Sequence, residues 1–467
     1  MTGSTRPNIV FIMADDMGYG DFGVFSEGRC KTPAIDSLVS DGMCLTQHYS
    51  ASPVCTPARA GFLTGRYPIR TGSIDMRESR GLDRIALREK TIADCFRKIG
   101  YKTGLIGKWH NGAFGPEHHP NARGFDEFLG FRHGGMYYYK WLLEKNGQCM
   151  KADGRYLTDV FADAAVDFIN RHGKHPFFLD VAFNSPHEPL EVPDDEVIPY
   201  RQTGRFHENV SKIYAMCTRM DKGIARILDA LEKNGRANNT IVCFTSDNGP
   251  AMYDNMERFN CNYRGGKGHV YEGGIRVPMV LRWPDGLAKN THFDSLVHFC
   301  DWLPTLLAAA GAVATTELPI DGANVLPALQ GESDWLNPKR YWQLSRYRPT
   351  FESNIAMRDG PWKLVRPALP EANVSARDEI ATDRNLWCQD LYKNPEAVDR
   401  RWLGQPFPPR TLPPALPWEL YNLDQDLGEN VNLAAKESDR VRNMARQLET
   451  WFESVEQDRM SITGMPK

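Results

Sequence analysis

The stretch Pro7-Asn8-Ile9-Val10-Phe11-Ile12-Met13-Ala14-Asp15-Asp16 decides how this chain folds. Its centre, residues 9–13, is an unbroken apolar and β-prone run, which is typical of a strand buried on both faces. Strands of that kind occur in parallel sheets whose two faces are covered by helices. The acidic pair that follows places two carboxylates where the strand ends.

Similar strands alternate with amphipathic helices along the first two thirds of the chain. This alternation predicts an α/β fold, a large and mostly parallel sheet sandwiched by helices. The predicted strands are 9–13, 102–106, 176–183 and 240–245. The predicted helices start at Pro33 after the N-cap Thr32, at Thr91 and at the N-cap Thr158, and a long fourth helix ends near Gly235.

The texture of the sequence changes after about residue 330. Short strands are predicted at 342–344, 355–357, 362–365 and 419–423, with an irregular proline-rich and charged excursion at 366–418. A last amphipathic helix carries Val441, Leu448 and Val455 on its apolar face. We therefore expect a smaller C-terminal α+β subdomain, an antiparallel sheet plus a helix, with the domains at 1–335 and 336–467.

Composition excludes several classes of protein. The 467 residues carry a net charge of −3, which argues against non-specific binding to nucleic acid or to membranes. None of the ten cysteines forms a CxxC pair, so a zinc ribbon or a thioredoxin-type centre is not expected. The N-terminus carries no apolar signal region, which predicts a cytoplasmic protein as given, with a trimmed exported protein as the alternative.

Polar residues follow each of the four predicted strands. Asp15-Asp16 follow the first, Lys108 and His110 the second, His187 the third, and Asp247-Asn248 the fourth. If these strands are parallel neighbours, their carboxyl ends gather these side chains at one edge of the sheet.

The carboxylates and the amide suggest a metal site. Asp15, Asp16, Asp247 and Asn248 offer hard oxygen ligands, which suit Ca²⁺ or Mg²⁺. The alternative is that both pairs only form turns, because aspartate and asparagine favour turns. Two such pairs, each directly after a buried strand, favour the metal site.

Positive charge and proton-transfer groups come from Lys108, His110, His187 and Lys267. A developing oxyanion needs fixed cationic donors, and a leaving oxygen needs a proton. Lys267 lies in the glycine-dense segment 265–274, whose glycines allow a close approach of the backbone. A merely flexible connector is the alternative reading of that segment.

A family resemblance enters with Cys55-Thr56-Pro57-Ala58-Arg59 and the following Leu63-Thr64-Gly65-Arg66. These residues resemble the signature CxPxR and the trailing LTGR of formylglycine-dependent type I sulfatases, in the alkaline phosphatase superfamily. The resemblance continues through the N-terminal strand, Gly107-Lys108-Trp109-His110, Ser185-Pro186-His187, Thr245-Ser246-Asp247-Asn248-Gly249 and the loop with Lys267. Arg358 to Leu364 and Glu419 to Leu423 resemble the sulfatase C-terminal subdomain.

The resemblance implies a sulfuric ester hydrolase and a role for each matching residue. A formylglycine-generating or sulfatase-maturing enzyme would oxidise Cys55 to formylglycine, whose geminal diol is the nucleophile. The implied ligands of a divalent cation, usually Ca²⁺, are Asp15, Asp16, modified Cys55, Asp247 and Asn248. Arg59 and Lys108 would stabilise the diol and the sulfate, His187 and Lys267 would contact the sulfate and help to protonate the leaving oxygen, and His110 would take a proton from the diol.

Two rival functions remain open. A phosphodiester or phosphonate monoester hydrolase of the same superfamily can carry the modified cysteine, although Asn248 favours a sulfatase because phosphate-handling relatives more often have histidine there. A non-catalytic binding protein would require Cys55 to remain a thiol, which the convergence of polar groups disfavours.

The substrate is expected to be a small-molecule or oligosaccharide sulfate ester. A sulfated carbohydrate is favoured over an aryl sulfate. Arginines can bind carboxylate or sulfate groups, and tyrosines can stack on rings. The tyrosine run 137–139 can equally pack in the core. The predicted substrate-binding residues are His133, Tyr137, His207, Arg264, His269 and Arg346; at position 269 many sulfatases carry a small hydroxyl residue instead.

Overall fold

The computed structural model describes residues 6–252, 256–335, 337–374 and 406–464. Its main sheet has ten strands in the order β11-β2-β10-β9-β1-β8-β4-β5-β6-β7. These strands are β1 (Asn8–Ala14), β2 (Met43–Leu45), β4 (Lys102–Lys108), β5 (Glu127–Phe131), β6 (Leu142–Lys145), β7 (Gln148–Lys151), β8 (Phe177–Ala182), β9 (Thr240–Ser246), β10 (Met279–Arg282) and β11 (Thr291–Phe293). A two-stranded sheet pairs β3 (His48–Tyr49) with β12 (Val297–His298).

The four predicted strands form the centre of this sheet. The strand β1 is parallel to β8 on one side and to β9 on the other, and β4 runs parallel to β8. Met13 lies opposite Ala182 in β8 and Thr245 in β9, so the three strands end together. The mostly parallel α/β fold that the sequence predicts is confirmed.

Helices cover both faces of the sheet because the side chains of β1 alternate between them. Val10 and Ile12 pack with one layer of helices, and Ile9 and Phe11 pack with the other. The first layer contains α1 (Pro33–Asp41), α5 (Leu157–His172) and α7 (Glu208–Lys233), and the second contains α2 (Cys55–Thr64), α4 (Ile92–Lys98) and α9 (Trp302–Ala309). The shorter helices are α3 (Pro68–Thr71), α6 (Asp194–Arg201), α8 (Glu272–Ile275) and α10 (Leu326–Leu329).

The C-terminal part forms an antiparallel sheet of four strands with one helix packed against it. The strands are β13 (Arg340–Gln343), β14 (Ile355–Asp359), β15 (Trp362–Arg366) and β16 (Glu419–Asn422), and the helix is α11 (Ser438–Met460). Its core also contains Tyr67 and Leu82 from the N-terminal part of the chain. The domain boundary at 335/336 therefore stays a prediction.

Two predictions of local structure need comment. The proposed N-cap Thr158 is wrong, because α5 begins at Leu157 and Tyr156 occupies the cap position. The irregular excursion falls partly on residues 375–405, which lie outside the described residues. Among the described helices, none combines the length and the apolar character that crossing a bilayer requires.

Candidate active site

The carboxyl ends of β1, β4, β8 and β9 meet at one edge of the sheet, where ligand sites of open α/β folds form. Asp15 and Asp16 directly follow β1, and Asp247 follows β9. Lys108 is the last residue of β4. The side chains of all four are buried.

The acidic residues are linked by hydrogen bonds. The backbone N–H of Asp16 donates to Oδ1 of Asp247 at 3.2 Å, and Nδ2 of Asn248 donates to Oδ1 of Asp16 at 2.8 Å. Asp16 has a φ of +64°, a left-handed conformation that aspartate tolerates better than most residues. The turn after β1 thereby directs two consecutive carboxylates into the same space.

Three cations neutralise these carboxylates. Lys108 Nζ lies 2.6 Å from Oδ2 of Asp15, and Lys267 Nζ lies 2.7 Å from the Asp16 carboxylate. Arg59 donates to Oδ2 of Asp247 through Nε at 3.0 Å and Nη2 at 2.7 Å. Burial alone would raise the pKa of Asp16, but the charges of Lys267 and His187 hold it well below its usual value.

Cys55 is the first residue of α2, and its side chain is 1% exposed. Burial raises the pKa of its thiol to about 11, although Lys108 and Lys267 act in the opposite direction. A thiol with that pKa is protonated at neutral pH and is a poor nucleophile. Unmodified Cys55 is therefore badly suited to act as a thiolate.

The cluster fits a divalent cation. One ligand atom each from Asp15, Asp16, Cys55 and His187 lie within 4.8 Å of one another. Oδ1 of Asp15 and Oδ1 of Asn248 are buried without a hydrogen-bond partner among the described residues. Buried oxygens of this kind call for a partner, and the aspartate and asparagine oxygens of the cluster suit Ca²⁺ or Mg²⁺. His187 belongs to this cluster but was not among the predicted metal ligands. Asp247 was predicted as a ligand, and both of its carboxylate oxygens accept hydrogen bonds.

Two histidines lie beside this cluster. His110, with a φ of +51°, places Nε2 3.2 Å from Oε1 of Glu78. Burial lowers the pKa of His110 to about 4, even though Glu78 raises it. His187 donates from Nδ1 to the carbonyl oxygen of Glu188 at 2.7 Å, which leaves Nε2 on the side of Asp16, 3.7 Å away.

A cavity of about 340 Å³, called the catalytic cavity below, opens over Cys55. It brings together six residues that the sequence predicts for the site, Cys55, His110, His133, His187, Lys267 and Arg346. Sequence reasoning missed Met76, Arg77, Glu78 and Glu188, which also line it. The first three lie between α3 and α4, where no motif or strand end marks them.

Four predicted substrate-binding residues do not line this cavity. His207 lines a separate cavity, the outer cavity, together with Arg205, Phe206 and Phe259. Arg264 stacks on Tyr271 at 4.1 Å and donates to the Tyr421 hydroxyl at 2.6 Å. Tyr137 is half-buried, and His269 lies in the glycine-rich loop.

The tyrosine run packs in part. Tyr138 is fully buried, and its hydroxyl lies within hydrogen-bond distance of the carbonyl oxygens of Asn184 (2.8 Å) and His187 (2.9 Å). Its aromatic ring stacks on Tyr156. Tyr138 therefore supports the segment that carries His187, and Tyr139 is the exposed member of the run.

The glycine-rich loop is fixed from outside. Asn354, which precedes β14 of the C-terminal sheet, donates from Nδ2 to the carbonyl oxygen of Gly268 at 2.8 Å. The N–H of Val270 donates to Oδ1 of the same amide at 3.2 Å, and the N–H of Lys267 donates to the carbonyl of Pro250 at 2.9 Å. Held on both sides, the loop is not a loose connector.

Known proteins are similar to this chain over much of its length. A family model described as Sulfatase matches residues 7–312, and one described as N-sulphoglucosamine sulphohydrolase, C-terminal, matches residues 265–374. Human N-acetylgalactosamine-6-sulfatase is 34% identical over 69% of this chain, which spans 66% of that relative, just under two thirds. Rat steryl-sulfatase is 31% identical over 70% of each chain.

Solved structures share the fold over nearly the whole chain. The crystal structure of Ps i-CgsB in complex with k-i-k-neocarrahexaose has a TM-score of 0.81 and 28% identity, covering 99% of this chain and 95% of that one. Phosphonate monoester hydrolase of Agrobacterium radiobacter has a TM-score of 0.62 and 19% identity, covering 96% of each chain. The second likeness concerns the fold alone.

Proposed function

Since the chain belongs to the sulfatase family, a family of sulfuric ester hydrolases, we propose that it hydrolyses a sulfate ester of a sulfated carbohydrate at residue 55. One observation carries the proposal. Cys55 is buried at the start of α2, between the acidic cluster on one side and a cavity lined by His110, His187 and Lys267 on the other. A bound ester would meet cationic and proton-transferring groups at that position.

We propose a divalent cation, Ca²⁺ or Mg²⁺, held by Asp15, Asp16, modified residue 55, Asp247 and Asn248. His187 is a sixth group near enough to take part. When bound, the cation would offset sulfate charge and favour ionisation of a hydroxyl at residue 55. Lys108 and Arg59 already pair with carboxylates of this cluster, so a bound cation would leave positive charge at the site for an anionic substrate.

Residue 55 needs to be oxidised before it can act, which we assign to a separate formylglycine-generating or sulfatase-maturing enzyme. A hydrated aldehyde supplies one hydroxyl for attack on sulfur and a second through which sulfate is later expelled by C–O cleavage. Arg59 lies beside this position, with the acidic Asp247 bound to it. The raised pKa of the Cys55 thiol supports a precursor role rather than thiolate chemistry.

The chain's own cations and imidazoles would handle charge and protons. Burial lowers the pKa of Lys267, but Asp16 raises it above its usual value, so Lys267 keeps its positive charge and can bind the sulfate. Together with His187 it would help to protonate the leaving oxygen. His110 has a pKa of about 4 through burial and is neutral at pH 7. A neutral imidazole can accept the proton of the second hydroxyl.

The carbohydrate assignment rests on similar proteins and on the cavity. One relative is named N-acetylgalactosamine-6-sulfatase, and one similar structure holds k-i-k-neocarrahexaose. His133 and Arg346 line the catalytic cavity, and with His110 and His187 they offer donors for hydroxyl or anionic substituents. We retain both as substrate-binding residues.

Two measurements test the function. The matured protein is assayed on sulfated mono- and oligosaccharides, and on a matched pair of aryl sulfate and aryl phosphate diester. Release of sulfate from a sugar supports the proposal, whereas a large preference for the diester contradicts it. Intact mass of the peptide with residue 55 reports the modification, since formylglycine weighs less than cysteine.

A further inference from the structure

A second, wider cavity lies outside the catalytic cavity. This outer cavity has a volume of about 800 Å³, within the range of roughly 300–1,000 Å³ for small-molecule sites. Its walls include Arg205, Phe206, His207 and Phe259. The first three lie in the turn between α6 and α7, apart from the strand ends that form the active site.

A smaller intermediate cavity has wall residues in common with both the outer and the catalytic cavity. It has a volume of about 290 Å³ and shares the wall residue Met252 with the outer cavity. It shares His187, Lys267 and Arg346 with the catalytic cavity. The catalytic and intermediate cavities therefore adjoin, and Met252 forms a wall of both the intermediate and the outer cavity.

Arg205 is a cation of this region without a charged partner among the described residues. Among the described residues, its guanidinium has neither a hydrogen bond nor an ion pair, and it lies 5.5 Å from the centre of the Phe206 ring. His207 accepts the N–H of Asn209 at Nδ1, which leaves Nε2 available as a donor. Both side chains are exposed, so binding an anion there requires little desolvation of their charges.

The remaining charged groups of the outer cavity largely balance one another. Arg258 is buried and bound to Asp21 at 2.5 Å, and Arg29 is bound to Glu27 at 2.6 Å while it covers the Phe259 ring at 4.0 Å. Glu257 also lines the cavity and is exposed. Aromatic faces with guanidinium, imidazole and carboxylate groups suit a hydroxyl-rich ring that bears an anionic substituent.

We propose that the outer cavity binds a non-reacting sugar unit of the same sulfated oligosaccharide, with Arg205 and His207 holding a sulfate or carboxylate substituent of that unit. This inference rests on the proposed function, because it extends the substrate from residue 55 outward. The reacting sugar unit occupies the catalytic cavity, and the oligosaccharide extends past Met252 to the outer cavity.

The test compares Arg205→Gln with the wild type on short and long substrates. Two series are used, N-acetylgalactosamine 6-sulfate with chondroitin 6-sulfate oligosaccharides, and sulfated neocarra-oligosaccharides of two to six units. In the series that the wild type hydrolyses, we expect Arg205→Gln to raise KM for the longest member about 10-fold, the effect of losing one charge-assisted hydrogen bond. KM for the shortest member and kcat for both should not change.

Arg442→Gln is the matched control, since it removes the same charge from the exposed face of α11 and lines none of the three cavities. It should leave both KM values unchanged. Equal KM values for wild type and Arg205→Gln on the long substrate, or an equal rise on short and long substrates, overturn the inference. If the wild type releases sulfate from neither series nor from any other sugar, it is the proposed function that fails.

Discussion

Replacing Asn354 should detach the glycine-rich loop from the C-terminal sheet and displace Lys267. The Asn354 side chain is 1% exposed and makes two hydrogen bonds to the loop, one to the Gly268 carbonyl and one from the Val270 N–H. Neither backbone group would have another protein partner after truncation of the amide. The Val270 N–H is buried, and leaving it unsatisfied costs about 1–3 kcal/mol, whereas water can reach the part-buried Gly268 carbonyl. Asn354→Ala should therefore lower the free energy of unfolding by roughly 2–4 kcal/mol.

Backbone conformation separates the variants. Asn354 has a φ of +49°, which alanine adopts at a cost of about 1–2 kcal/mol and glycine at almost none. Asn354→Gly should therefore be more stable than Asn354→Ala by about 1 kcal/mol, although both lose the two hydrogen bonds. Asn354→Asp keeps the acceptor for Val270 but places a carboxylate against the Gly268 carbonyl, so it should remain destabilised.

Urea unfolding and kcat/KM on the sulfated sugar found in the screen are measured for all three variants. We expect kcat/KM to fall about 10- to 100-fold, the range for the loss of one hydrogen bond between the substrate's sulfate and the charged Lys267. The pH dependence of kcat/KM should stay the same. Variants that unfold within about 0.5 kcal/mol of the wild type and keep kcat/KM within about twofold would refute the reasoning.

Three further predictions concern the site and its surroundings. Cys55→Ser should abolish turnover in a host whose maturing enzyme accepts only cysteine, with thermal stability close to that of the wild type; full activity of this variant would contradict the nucleophile assignment. Removal of divalent cations by a chelator should lower Tm by several degrees and abolish activity, and added Ca²⁺ should restore both. The Tm of Asp15→Asn, measured by scanning calorimetry, should change neither with the chelator nor with Ca²⁺. Asp180 in β8 is buried, and burial raises its pKa from 3.8 to about 7, although Arg59 acts in the opposite direction. The folded state therefore binds this proton more tightly than the unfolded state does. Stability should therefore fall as pH rises from about 4 to 7, by a few kcal/mol in total, and Asp180→Asn should remove this part of the dependence; identical slopes for the two proteins would contradict the assignment.

Local sequence patterns predict the centre of the fold and much of the site, because both depend on buried strands. Residues 9–13 and 240–245 are continuous apolar runs, and the side chains after them, Asp15 and Asp247, gather wherever parallel strands end together. Strands β5 to β7 and β10, which flank the four central strands on either side, were not predicted. They are short, and β10 and the β6–β7 hairpin pair antiparallel, so their positions depend on distant partners rather than on a local period.

Long-range loop placement explains the rest. Glu78, which was not predicted, reaches the catalytic cavity from a segment between two helices, and Arg346, which was predicted, reaches it from the C-terminal part of the chain. No local pattern distinguishes these residues from Arg264, which binds the C-terminal sheet instead. The helix that begins at Cys55 was likewise not predicted, since it contains Pro57 and Gly61 and is buried on all sides.

The burial of α2 has a consequence for the order of events during biosynthesis. All ten residues of α2 are buried, and the side chain of Cys55 is 1% exposed at the floor of its cavity. A second protein that must oxidise this side chain would need the polypeptide around it in an extended form. We therefore expect maturation to occur on the nascent chain, before the sheet closes over this segment. Protein purified without the maturing enzyme should stay inactive when that enzyme is added later. Unfolding the protein in the presence of the enzyme should allow residue 55 to be modified.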